Sequence, residues 1–490
     1  MKMNRFACLL LALLMAASMA SCGGAEVESA EDTAADTTVT ETETAAETDS
    51  LEARLSVPDD LGEKDFGGEE YRVMIQERWF GYHDAEELTG DGLNDAIYTR
   101  NTNVEERFNV QLNLQGMAHA DQAQGLKNCV ISGNDEYDLF LGGAVSSGEL
   151  AVQGLFRNLH ELDIDFTKPW YPSDAVTNLT VNGKMFLAAS DICLSLAANT
   201  YCYYFNKDLV TDYSLEDPYT VVSEGRWTID YLQKNIADIY VDANGDGQAA
   251  NDDIYGFATE KVNSLPAYYY AFEIDTVELT KDGVNILLDK VEKNIDAVEK
   301  LRTLLYSSRG SYNYTGEGAY GSGGDLFVRQ QAIFAVSKLG DSSGWFREVC
   351  EFDYGIIPYP KYTEEQKNYY TVAGGSINAS AVPLTAARED LVSTVFASMA
   401  AESWKVLIPQ YYDVVLKYKG ARDETSTRMI DLILDGRNLD FEFIYDGFKG
   451  YMYDMSDIFK GGTTVPAYVA STQKAVTTYY EGIRKLFYED

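Results

Sequence analysis

Between Tyr71 and Gly143, short apolar runs alternate with segments of helical period, and no other feature restricts the fold as much. Residues 71–75 read as a strand after the Gly67-Gly68 turn. Residues 94–107 read as a helix, with Ile97, Asn101, Val104 and Phe108 marking one face. Val110, Leu112 and Leu114 alternate with polar residues as a second strand. A helix over 122–132 then leads to a buried strand over 137–141, ending at Gly142-Gly143. Strands joined by crossover helices form a parallel sheet. Ligands of such sheets bind beyond the carboxyl ends of the strands, which singles out 76–82 and 142–147.

Further along, residues 184–189, 200–205, 331–337, 352–357 and 372–379 read as strands, and 287–306 as an amphipathic helix. The last hundred residues read as mostly helical, with 426–434 the most regular piece. The reading is α/β, and a folded part of about 430 residues is too long for one core, so two lobes are expected.

The N-terminus sets the compartment. Lys2 and Arg5 precede an apolar run over 7–17 that is too short to span a membrane, which is the pattern of a secretory signal peptide over 1–21. Met19-Ala20-Ser21-Cys22 resembles a bacterial lipobox, although Met stands where Leu is usual. It implies cleavage before Cys22 and acylation of that cysteine. Residues 22–62 are rich in Glu, Asp, Thr and Ala, without an aromatic residue, and are expected to form a disordered, self-repelling tether. The expected location is extracytoplasmic, anchored to the membrane by lipid.

A net charge of −39 argues against nucleic acid, which needs clustered Lys and Arg. Of six cysteines, Cys129, Cys193, Cys202 and Cys350 remain after processing, with no metal-like spacing. They are expected as buried free thiols, a Cys193–Cys202 bridge being the alternative. Three scattered histidines make a catalytic zinc site a poor fit.

Four stretches resemble the family 1 extracellular solute-binding proteins, the group that includes maltose-binding protein. Tyr203-Tyr204-Phe205-Asn206-Lys207-Asp208-Leu209 is similar to the family's YYNKDL segment, and Trp227-Thr228-Ile229-Asp230 to its W-T-x-D helix start. Phe352-Asp353-Tyr354-Gly355-Ile356-Ile357-Pro358 falls where the family has YGVxxxP. Gly374-Gly375-Ser376-Ile377-Asn378-Ala379-Ser380 resembles its GxSAGINAAS strand. The resemblance spans about 66–490. It implies a type II periplasmic-binding fold with crossing hinge segments, lobe one being 66–193 plus 338–383 and lobe two 194–337 plus 384–490. It also implies a monomer that closes on a mono- or oligosaccharide and presents it to an ABC permease, without catalysis.

Sugar recognition uses aromatic faces and planar polar groups. The expected ligand residues are Trp79 and Phe80 after the first strand, Tyr201 and Trp345 near the hinges, and Gly375 and Ser376, where backbone can approach closely. For the aromatic residues, packing within their own lobe is the open alternative; Trp227 is expected in the core. Asp242, Asn244, Asp246, Gln248 and Asp253 follow a relaxed calcium-loop spacing, with Gly247 at the sharp turn. A structural calcium ion is expected there; an acidic Asx turn is the alternative. The competing functions are a surface glycan-binding or sensory lipoprotein and a secreted glycoside hydrolase. Candidate carboxylate pairs for the latter are too numerous among 78 acidic residues to carry information.

Overall fold

The computed structural model describes residues 51–260, 264–314, 323–375, 377–446, 458 and 462–489. The signal-like segment, Cys22 and Ser376 lie outside the described residues.

Two sheets organise the chain. In the first, Glu69–Gln76 pairs in parallel with Val110–Met117 on one side and Leu139–Gly143 on the other. Asn378–Ala381 returns antiparallel beside Leu139–Gly143 and completes the four strands. The connecting helix Gly92–Phe108 starts on an Asp91 cap that accepts from the Leu93 and Asn94 amides, and it stops at Asn109 in the left-handed region. Its expected face is the buried one, with Ile97, Asn101, Val104 and Phe108 all inside. Asp138 pins the sheet from beneath: fully buried, it accepts from the guanidinium groups of Arg72 and Arg388.

The second sheet is mixed. Tyr201–Asn206 runs antiparallel to both Ala332–Lys338 and Tyr354–Ile357, while Ile254–Glu260 pairs in parallel with Ala332–Lys338. Trp227 is fully buried, as expected, and donates from its indole N–H to the Pro358 carbonyl at 2.9 Å. The four mature cysteines that are described are buried and free.

Between the sheets the chain crosses side by side. The Leu339 amide donates to Thr200 O at 2.8 Å, and the Gly374 amide to Asn199 O at 3.0 Å. A Cβ on Gly340 would stand 2.9 Å from Ala198 O, so glycine lets two of these crossings touch.

Several expectations need correction. The tether does not run to residue 62. Leu51–Ser56 is helical, Arg54 lies over the Trp404 ring at 5.2 Å, and Asp59 pairs with Arg107. Val57 and Leu61 add apolar surface that packs on the core, so the chain joins the folded body by Leu51. Tyr354–Ile357, expected in lobe one, is a strand of the second sheet because it pairs with Tyr201–Asn206. Glu389–Glu402, expected in lobe two, packs on Gly92–Phe108 and on the first strand. Its extension, Glu389–Gly420, is long and apolar enough to cross a membrane, but most of it is buried, as in a core helix. Residues 184–189 form only isolated bridges, Ala188 with Ser380 among them. The 287–306 helix begins only at Glu292, since the Leu287 and Leu288 amides are spent on Thr276 O behind a hairpin. The 372–379 strand is broken at Gly374-Gly375 into Thr371–Val372 and Asn378–Ala381.

Candidate functional site

A cavity of about 610 Å³ opens where the strands of the first sheet end. That volume lies within the usual range for a small-molecule site. Gln76 ends the first strand, Ala118 and His119 follow the second, and Val145 and Ser146 follow the third. Gly375 contributes from the returning crossing, and Glu77, Arg78 and Glu149 are the charged members of the wall.

Gln76 lines this pocket from the end of the first strand. Only 4% exposed, it places its amide nitrogen 3.3 Å from His119 Nδ1. Its Oε1 is buried and has no hydrogen-bond partner among the described residues. A buried acceptor without a donor is costly, and such atoms in native proteins call for a ligand or water. Gly143 keeps the space beside it open, because a Cβ there would stand 3.4 Å from that oxygen and 3.1 Å from Ser146 Oγ. The helix His119–Ser132 begins at the pocket without a side-chain cap, so its positive end lies in the cavity wall.

The expected ligand residues are distributed unevenly. Gly375 lines the cavity, and its carbonyl accepts from the Val145 amide at 3.4 Å. Trp79 lies just outside, in an adjoining hollow beside the Asp91-capped helix, stacked on Tyr82 and with the Arg78 guanidinium 5.1 Å from its ring centroid. Phe80 packs on Gly116 of the second strand. Tyr201 is buried at the hinge against Gly374. Trp345 packs on Phe346 and over Gly324 in the second lobe. His119 and Glu149 were not anticipated. The strand-end rule reaches His119 once the second strand is carried to Met117, two residues before it.

On the Asp242–Asp253 loop, Asp242 accepts from the Gly245 and Gly247 amides, Asn244 from Asp246, and Asp246 from Gln248. Asp253 is turned inward, accepting from the Ala243 and Ala250 amides and the Tyr240 hydroxyl. Burial works to raise its carboxyl pKa, and these donors outweigh it, so the carboxyl lies below its ordinary range. Among the described residues, no three His, Cys, Asp or Glu side chains converge as a metal cage.

No family model matches the chain, and no curated protein matches it in sequence. Solved structures do match in fold. The cyclic α-maltosyl-1,6-maltose binding protein of Arthrobacter globiformis superposes with a TM-score of 0.56 at 15% identity, over 85% of this chain and 100% of its own. The maltose-binding protein MalE of Listeria monocytogenes, in complex with maltose, gives 0.54 at 15% identity, over 84% and 97%. UgpB of Mycobacterium tuberculosis, in complex with glycerophosphocholine, gives 0.54 at 15% identity, over 79% and 95%. Two sheets joined by three crossing segments, matched over most of the chain to these structures, give this chain the type II periplasmic-binding fold shared by maltose-binding proteins.

Proposed function

We propose that the chain is an extracytoplasmic solute-binding protein that captures a mono- or oligosaccharide in the strand-end pocket and passes it, as a monomer, to an ABC permease. The observation that carries this reading is the buried Gln76 Oε1, unpartnered among the described residues, on a residue that lines a cavity of ligand size. A sugar hydroxyl supplies the missing donor, and the His119 ring and Ser146 hydroxyl stand ready to take its neighbours. The second lobe then closes across the hinge, so affinity reflects contacts and closure together. Two of the matched structures are of sugar-binding proteins, which supports the ligand class. Membrane anchoring through Cys22 rests on the lipobox-like sequence. A structural calcium ion at the Asp242–Asp253 loop rests on spacing alone, since Asp253 would have to exchange three hydrogen-bond donors for the ion.

A thermal-shift screen of the protein against mono- and oligosaccharides tests the reading. A ligand at about a hundredfold over its dissociation constant adds about 2.7 kcal/mol, enough to raise the melt by a few degrees. A flat response to every sugar would remove the sugar reading, and a shift with glycerophosphocholine instead would redirect it to phosphodiesters.

A further inference from the structure

A second cavity, of about 350 Å³, shares no residue with the strand-end pocket. We propose that it binds a small organic ammonium ion, held by the carboxylates and tyrosines of its wall.

The walls come from separated parts of the chain. Asp174 stands on the helix Ser173–Leu179, while Tyr270, Glu273 and Asp275 belong to the helix Pro266–Ala271 and the turn after it. Asp435 and Asp440 close the remaining side. Five carboxylates therefore face one cavity, and Arg437 is the single cation among the described residues that line it. Its guanidinium is engaged, donating to the Tyr412 hydroxyl at 3.1 Å and lying in the field of Asp435 and Asp191.

A cluster of acids alone is a solvated surface. Tyr270 is the observation that makes this one a site. It is 8% exposed and lines the cavity, its ring packs edge-on against Phe443, and its hydroxyl has no hydrogen-bond partner among the described residues. Among the described residues, the charges that bear on that hydroxyl are all acidic, Asp440 first. Asp440 is itself under strain from its neighbours: burial first, then the Asp275 charge, push its carboxyl up to about 6. A cation beside Asp440 would offset the Asp275 charge there and give the Tyr270 oxygen a donor.

The geometry favours an organic cation over a bare metal. Calcium wants about six to eight oxygens on one point. Here no three acid side chains converge among the described residues. Carboxylates and the tyrosines Tyr269 and Tyr270 in one wall suit an alkylammonium whose N–H groups reach the acids and whose carbons lie against the aromatic residues.

Isothermal titration calorimetry of the full chain with 1,4-diaminobutane tests the proposal, with 1,4-butanediol as the uncharged match at equal ionic strength. The diamine should bind saturably and the diol should not. Asp440→Asn, Asp275→Asn and Tyr270→Phe should each weaken the diamine by about tenfold or more, as expected for losing one hydrogen bond to a charged group. If Asp440→Asn loses its cooperative melt, Asp275→Asn, on the exposed rim, carries the test. No saturable heat, equal binding of the diol, or undiminished binding by Asp275→Asn would overturn the proposal.

Discussion

The amide nitrogen of Gln76 lies 3.3 Å from Nδ1 of His119, so the ends of two parallel strands meet through their side chains at the edge of the strand-end cavity. The contact holds the Gln76 amide in place and leaves its oxygen without a partner among the described residues. Stability and binding should therefore respond in opposite ways at this residue. Gln76→Leu removes an unsatisfied buried acceptor and should leave the melting temperature unchanged or raise it. Ligand affinity should fall by about tenfold, the worth of one hydrogen bond to a buried group. Calorimetry with the best sugar from the screen, paired with a thermal melt, reads both; loss of stability with intact affinity would make Gln76 structural.

Asp138 is the opposite case, a fully buried charge with every need met. Arg72 donates to it from Nε at 2.9 Å, and Arg388 from a terminal nitrogen at 2.6 Å. Asp138→Asn leaves two guanidinium groups facing a neutral amide. It should cost about 3 kcal/mol, in line with broken buried ion pairs. Urea unfolding of the variant measures this, and a cost below about 1 kcal/mol would place the pair among weak surface bridges.

Glu442 predicts a pH dependence. Burial, then the neighbouring Asp440 charge, push its carboxyl up to about 8, against the pull of donors from Thr276 and Val277. An acid whose folded pKa lies above its unfolded value, about 4.3, binds its proton more tightly when folded. The stability this provides is complete below the unfolded value and is lost as pH rises toward 8. The melting temperature should fall across that window, and Glu442→Gln, a permanent mimic of the protonated form, should flatten the fall. An unchanged slope in the variant would assign the dependence to other groups.

If calcium binds the Asp242–Asp253 loop, adding the ion to chelator-treated protein should raise the melting temperature, and Asp242→Ala should abolish the rise. The position is sensitive because Asp242 already braces the loop through the Gly245 and Gly247 amides. A melt that ignores both chelator and calcium would leave these residues as an acidic turn.

Turnover offers a separate check on the binding reading. Glu77 and Glu149 both line the strand-end cavity, so the pocket contains a carboxylate pair. Labelled oligosaccharides should emerge from prolonged incubation uncut. Hydrolysis lost in Glu149→Gln would convert the site into that of a glycosidase.

Much of the first sheet was legible in the sequence. The 3.6-residue spacing of Ile97, Val104 and Phe108, and the runs at 71–75 and 137–141, each encode a buried face within one element. The carboxyl ends followed from strand order, and with them Gln76, Val145 and Ser146. Tertiary structure alone decided what each buried face meets. Glu389–Glu402 is apolar enough to pack in either lobe, and its contacts with Gly92–Phe108 and the first strand assign it to the first. Tyr201 and Phe80 are aromatic beside the cleft, yet both are taken up by packing against glycines, Gly374 and Gly116, far away in sequence. Likewise, the acids of the second cavity stand at 174, 275 and 440, positions brought together only by folding. Periodicity reports which side of an element avoids water, because that is a local property of the chain. Which partner covers that side, and which polar atom is left without one, depends on contacts between residues hundreds of positions apart.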